Sequence, residues 1–183
     1  MAYSYTTGDE LRQWGDDLGP LRKTIVEKAA ARLPQYATFL SHSSRDADIL
    51  PGAIRILENH GARVYLDKKD PSLPPYTSRD TADILRKRIN ESKKFILLAS
   101  NNSKDSRWVP WELGLADGYK NPRNAAIFPS VDKQTEIAWT EQEYLGIYDR
   151  IVFGDLNGKP KKVWMVLNQK KNTATELSDW LAA

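Results

Sequence analysis

The sequence predicts an α/β fold, a five-stranded parallel sheet with helices on both faces. Three observations lead there. Compact apolar runs recur along the chain: YATFLSHS from Tyr36, ARVYLD from Ala62, FILLAS from Phe95, NAAIFPSV from Asn124 and DRIVFGDL from Asp149. Amphipathic stretches of helical length alternate with them, the pattern of a parallel sheet whose crossovers pack on both of its faces. The chain of 183 residues is long enough for one ordinary domain and short for two.

Taken in order, residues 8–33, GDELRQWGDDLGPLRKTIVEKAAARL, read as helix interrupted at Gly19-Pro20, because proline suits the first turn of a second helix. Residues 1–34 are expected to form an N-terminal helical extension. YATFLSHS is the first strand, SRDAD a polar loop, and ILPGAIRILENHG a helix closed by Gly61. ARVYLD is the second strand, DKKDPSLPPYTSRD a proline-rich loop, TADILRKRINES an amphipathic helix and FILLAS the third strand. After SRWVPWELGLADG, read as helix, NAAIFPSV is the fourth strand, WTEQEYLG a short helix and DRIVFGDL the fifth strand. The domain proper is expected at 35–155. Residues 156–183 form a C-terminal extension packing on it, with VWMVLNQ closing a hairpin after Asn157-Gly158 and TATELSDWL a last helix.

Composition narrows the function classes. Hydrophobic residues at 40% and charged residues at 28% describe a chain that buries a core. The net charge of +3 comes from 27 basic and 24 acidic residues spread along the sequence, so no field points to nucleic acid or to an anionic membrane. With no cysteine there is no disulfide, no thiolate metal site and no thiol nucleophile. The two histidines are isolated, so no metal site is expected, and neither G-x-S-x-G nor G-x-x-x-x-G-K occurs. MAYSYTTGDE is not an apolar leader and no run of about 18 apolar residues exists, which makes a cytoplasmic location the expectation.

The helix SRWVPWELGLADG raises the chemical question. If Ser106 caps it, Pro110 falls in the first turns, and Trp108, Trp111 and Leu115 form a stripe expected to face the core. Glu112 follows Trp108 by one turn and lies at the edge of that face, where a carboxylate is costly unless paired or exposed in a cleft. Two readings stay open: a first-turn charge favoured by the helix dipole or paired with Arg107, and a functional carboxylate. Topology bears on the choice, because open parallel sheets bind ligands beyond the carboxyl ends of the strands, where strand order reverses. In a sheet of order 2-1-3-4-5 that point lies between the first and third strands. Ser41, His42 and Arg45 follow the first strand, and Ser100 to Glu112 follow the third, so the two segments would line one crevice.

At these residues the chain resembles a Toll/interleukin-1 receptor (TIR) domain, a flavodoxin-like fold. The resemblance rests on FLSHSSRDAD after the first strand, the proline-bearing loop after ARVYLD, and Trp108 and Glu112 in a W-x-x-x-E arrangement. It covers about Tyr36 to Phe153 and is closest to bacterial members, the NAD-cleaving signal producers of antiphage defence in Thoeris-like systems. It implies NAD as substrate rather than as resident cofactor, cleavage at the nicotinamide–ribose bond, and Glu112 as the catalytic residue. It also implies self-association through the domain and a separately encoded effector activated by the product. The loop DPSLPPYTSRD departs from the family in carrying three prolines and no glycine where a Pro-Gly pair is common.

One carboxylate suits that chemistry. Most glycoside hydrolases need two, one of them to protonate the leaving oxygen. Nicotinamide instead leaves a pyridinium as a neutral base, so what remains is to stabilise an oxocarbenium-like ribose with negative charge. Trp108 is either a core indole or a stacking surface for the cationic ring. Ser41, His42 and Arg45 are candidates for ribose or pyrophosphate contacts, and Tyr76 for covering the substrate from the loop. Two competing functions share the fold: a noncatalytic TIR scaffold, and an enzyme like a nucleoside 2-deoxyribosyltransferase.

Overall fold

The computed structural model describes residues 2–67, 79–106, 108–120, 122–132 and 145–183. At its centre are the five expected strands, β3 (Thr38–Ser41), β4 (Val64–Tyr65), β5 (Lys94–Ala99), β6 (Ala125–Val131) and β7 (Asp149–Gly154), in the order β4-β3-β5-β6-β7. Every pair along this path is parallel, with Phe39 opposite Phe95 and Ile96 opposite Ala126. This is the 2-1-3-4-5 order. All six residues of β5 and all seven of β6 are buried, which is why residues 95–99 and 125–128 read as unbroken apolar runs without alternation.

The sheet is larger than five strands; among the described residues it has nine. β8 (Val163–Asn168) returns antiparallel along β7 after the turn at Gly158, which has φ +84°, and β9 (Thr173–Glu176) pairs antiparallel with β8. At the other terminus β1 (Tyr3–Ser4) lies antiparallel on β7, while β2 (Thr6–Thr7) lies parallel to β6 at Ser130–Val131. The hairpin after Asn157-Gly158 is therefore present. The expected last helix begins later than its sequence suggests, because Thr173–Glu176 is strand and only α6 (Leu177–Ala182) is helical. The reason is non-local: β8 presents a row of unpaired backbone groups, and the chain satisfies them before turning into helix.

Helices cover both faces. The N-terminal helical stretch breaks as expected into α1 (Gly8–Asp16) and α2 (Leu21–Ala31), with Gly19 between them. Thr7 and Glu10 form a reciprocal capping box at the start of α1. α1 lies directly on α3 (Leu50–Asn59), so close that a Cβ on Gly52 would collide with the Leu11 carbonyl. These three helices and α6 pack on one apolar cluster. On the other face α4 (Arg79–Glu91) and α5 (Trp108–Tyr119) pack on a second, which includes Phe39, Phe95, Ile127 and Val152. Most of the expected WTEQEYLG helix and of the expected DKKDPSLPPYTSRD loop lie outside the described residues, the last two residues of that stretch, Arg79 and Asp80, already belonging to α4; Leu145–Ile147 is a single 3-10 turn. Among the described residues no helix is long and apolar enough to cross a membrane.

Candidate active site

Strand order reverses between β3 and β5, and the segments leaving their carboxyl ends carry the polar residues. β3 ends at Ser41, whose side chain is 2% exposed. The chain then passes His42 and enters a short 3-10 turn, Ser44–Asp46, capped by the Ser43 hydroxyl. β5 ends at Ala99, and Ser100 caps a second 3-10 turn, Asn101–Asp105. α5 follows at Trp108, and the Ser106 hydroxyl accepts the Val109 amide at 3.3 Å, so the expected Ser106 cap is present.

The Ser41 hydroxyl donates to Glu112 Oε2 at 2.5 Å. This contact joins residues 71 positions apart and brings together the first-strand and third-strand segments at the crevice. Its length is that of a hydroxyl donating to a carboxylate. Glu112 is half-buried, one turn into α5. The fully buried face of this helix is Val109, Leu113 and Ala116; Trp108, Trp111 and Leu115 are half-buried and pack at the margin of the core. The expected core stripe is thus rotated toward the rim. The smaller side chains let the helix approach the sheet, and the two indoles cover its edge. Trp108 meets Trp111 edge-on, with centroids 5.4 Å apart at 77°, and the Arg86 guanidinium of α4 lies 5.5 Å over the Trp111 ring.

The other sequence candidates are distributed around this pair. His42 is half-buried and its Nδ1 lies 3.3 Å from the Leu40 carbonyl, which fixes the ring through its own strand. Burial lowers the His42 pKa below its ordinary value, against the opposing pull of the Leu40 carbonyl, Asp46 and Asp67, so its neutral form is favoured. Arg45 is exposed, and its backbone is tied into the loop, the amide donating to Ser43 Oγ at 3.3 Å and the carbonyl accepting from Asn102 at 3.4 Å. Tyr76 lies outside the described residues.

Sequence reasoning passed over Asp46, which is 0% exposed. Its carboxylate accepts the Ser100 hydroxyl at 2.8 and 2.7 Å and the Asn102 side-chain amide at 2.7 Å. In S-S-R-D-A-D the residue looks like an ordinary solvated acid. Its burial depends on Ser100 and Asn102, more than fifty positions away, and no local signal announces them.

Among the described residues no three His, Cys, Asp or Glu side chains are grouped to hold a metal ion. A hollow of about 170 Å³ lined by Tyr5, Thr6, Trp14, Phe153 and Trp164, and another of about 520 Å³ beside α2, both lie away from Glu112. The site is marked instead by the reversal of strand order and by the Ser41–Glu112 contact. Chemically it offers one half-buried carboxylate oriented by a buried hydroxyl. The second carboxylate, Asp46, is fully enclosed and occupied. That is a site for stabilising positive charge rather than for paired acid–base work.

The family profile described as TIR domain matches residues 38–163. A protein of Bacillus cereus (strain MSX-D12), named probable 3' cyclic ADP-D-ribose synthase ThsB', is 36% identical over 155 residues, 81% of this chain and 79% of that one. The TIR2 protein of Cytobacillus dafuensis, also named for cyclic ADP-D-ribose synthesis, is 31% identical over 96 residues, 51% of this chain and 25% of that protein.

Proposed function

The chain belongs to the TIR domain family, and from that premise we propose that it is an NAD-cleaving enzyme. It breaks the nicotinamide–ribose bond and makes an ADP-ribose-derived signal. The observation that carries this reading is the Glu112 carboxylate held by Ser41 where strand order reverses. As the C–N bond breaks, its electron pair leaves with the nicotinamide nitrogen and positive charge develops on the ribose. Glu112 supplies the opposing negative charge, and Ser41 keeps the carboxylate aimed. Trp108 supports the leaving ring, His42 and Arg45 meet the ribose or pyrophosphate, and Tyr76 covers the substrate. The names of both relatives favour a cyclic product, in which a group of the same ADP-ribose closes on the anomeric carbon and gives up its proton.

In this reading residues 35–155 are the catalytic domain, with 1–34 and 156–183 as additions. The protein acts in the cytoplasm, associates with itself through the domain, and makes an antiphage signal read by a separate effector. The test is to incubate the purified full chain with NAD, alone and with extract of phage-infected cells, and to follow nicotinamide by chromatography beside Glu112→Ala. Expected is release that falls about 10²–10³-fold in the variant, the usual loss for one electrostatic stabiliser. Equal release by both proteins would remove Glu112 from the mechanism. Silence of the wild type under both conditions would leave the scaffold reading, and cleavage of deoxynucleosides in place of NAD would point to the deoxyribosyltransferase.

A further inference from the structure

The segment between β5 and α5 delivers Glu112 to the site, and it is pinned from two directions. On the β6 side the Asn101 side-chain amide donates to Asp132, just beyond the end of that strand. On the β3 side the clamp is Asp46. Its Oδ1 takes both the Ser100 hydroxyl and the Asn102 amide, at 2.8 and 2.7 Å, and its Oδ2 takes the Ser100 hydroxyl at 2.7 Å. Ser100 Oγ in turn accepts the Asn102 backbone amide at 3.1 Å, so its proton is committed to Asp46. Ser103 Oγ completes the turn, accepting the Ser100 amide at 2.9 Å and donating to the Ser100 carbonyl at 2.6 Å.

A carboxylate at 0% exposure is an expensive way to close a loop, because a buried charge costs more than a buried hydroxyl or amide doing the same job. What it provides is acceptor capacity. One side chain holds two donors from the opposite segment, a span a serine or alanine at this position lacks. Asp46 also follows Ser41, the last residue of β3 and the donor to Glu112, by five residues. The two cross-links, Ser41–Glu112 and Asp46–Ser100/Asn102, therefore join the same pair of segments at two points and fix their separation.

We propose that Asp46 is a positioning residue of the NAD-cleaving site: by clamping Ser100 and Asn102 it holds the β5–α5 segment against the β3 loop and keeps Glu112 within reach of Ser41. The inference rests on the reading of Glu112 given above, and it concerns alignment, since Asp46 itself is enclosed. A displacement of about 1 Å at a reacting group costs on the order of 10²-fold in rate.

The experiment uses the full chain with Asp46→Ala, Asp46→Asn, Ser100→Ala and the Asp46→Ala/Ser100→Ala double variant, each assayed well below its own melting temperature. Expected is a kcat lowered by about 10- to 100-fold in Asp46→Ala with KM within about twofold, and a double variant no slower than Asp46→Ala, as for two ends of one link. Asp46→Asn recovers part of the rate, because its remaining oxygen still accepts from Ser100 and Asn102. Native-state amide exchange in the same proteins is expected to quicken in residues 41–46 and 100–113 and not in α2 or β8. An unchanged kcat, or exchange raised evenly over the chain, would reduce Asp46 to a stability residue and overturn the proposal. A raised KM with normal kcat would overturn it too, by making the loop a binding element. Should the wild type release no nicotinamide, the enzymatic reading fails by itself; the exchange pattern then still decides the clamp. If Asp46→Ala does not fold, Asp46→Asn and Ser100→Ala carry the same comparison.

Discussion

The two ends of β5 both bury charge, and they do different things with it. At the first residue Lys94 is 2% exposed, its amine donating to Asn124 Oδ1 at 2.6 Å and lying 4.5 Å over the Trp180 ring of α6. Beside it Lys120 donates to the Ser92 carbonyl at 2.5 Å. Burial pulls both amines down to about 8, with a neighbouring lysine adding to each shift. Just past the last residue Ser100 instead donates to the Asp46 carboxylate, and Ser41, at the end of the neighbouring β3, donates to Glu112. The lower end docks a terminal helix, as Lys93 does by donating to the Ala182 carbonyl at 2.5 Å. At the upper end, loops from β3, β5 and β6 converge where strand order reverses. Buried charge alone therefore does not single out the candidate site; the proposal rests on its position relative to the topology.

The sharpest way to break this comparison is to neutralise one group at each end. Glu112→Gln keeps the shape and is expected to lower kcat by about 10²–10³-fold with little change in melting temperature, while Lys94→Met leaves kcat as it was. Comparable losses in both would show that activity follows overall integrity. Ser41→Ala removes the aim but not the charge, and a charge-assisted hydrogen bond of about 1.5–3 kcal/mol predicts a loss of roughly 10- to 100-fold, read as kcat by single-turnover kinetics.

The lower end answers to pH through stability. A lysine whose folded pKa is depressed weakens the fold fully below that value, and the penalty disappears above the unfolded value. Melting temperature should therefore rise from about pH 8 toward pH 10. Tyr5 and Tyr148, the latter raised to about 12, favour their protonated forms in the fold and reverse the trend above about pH 10. Lys94→Met should flatten the rise and leave stability at pH 7 equal or higher, since an apolar side chain of similar volume replaces a desolvated amine. A rise that persists unchanged would place the titration elsewhere.

The smallest effect belongs to His42. Its folded pKa lies below the ordinary value, so its contribution is complete above about pH 6.5 and is lost as pH falls below it. A thermal melt series from pH 7 to 5 should show a shallow decline that His42→Gln removes. Gln keeps a donor for the Leu40 carbonyl.

Much of this was legible in the chain itself. The breaks at Gly19-Pro20 and Gly61, the apolar runs of β5 and β6, and the helix that carries Trp108 and Glu112 are local patterns, and each corresponds to an element or an element boundary in the structure. That the segments carrying Ser41 and Glu112 line one crevice followed from the expected strand order; the hydrogen bond between the two did not. Thr173–Glu176 was misread as helix because its partner, Asn168 to Met165 on β8, lies across a turn, and propensity does not record cross-strand pairing.

By itself the sequence determined where strands alternate with helices and which segments leave the first and third strands, because periodicity and turn chemistry act over a few residues; the strand order was expected from the resemblance. Only the tertiary structure decided which polar groups went dry: Asp46 against Ser100, and Lys94 beneath Trp180. Whether a charged side chain stays in water depends on partners brought from distant positions, and desolvation is a property of that assembled surrounding rather than of the residue.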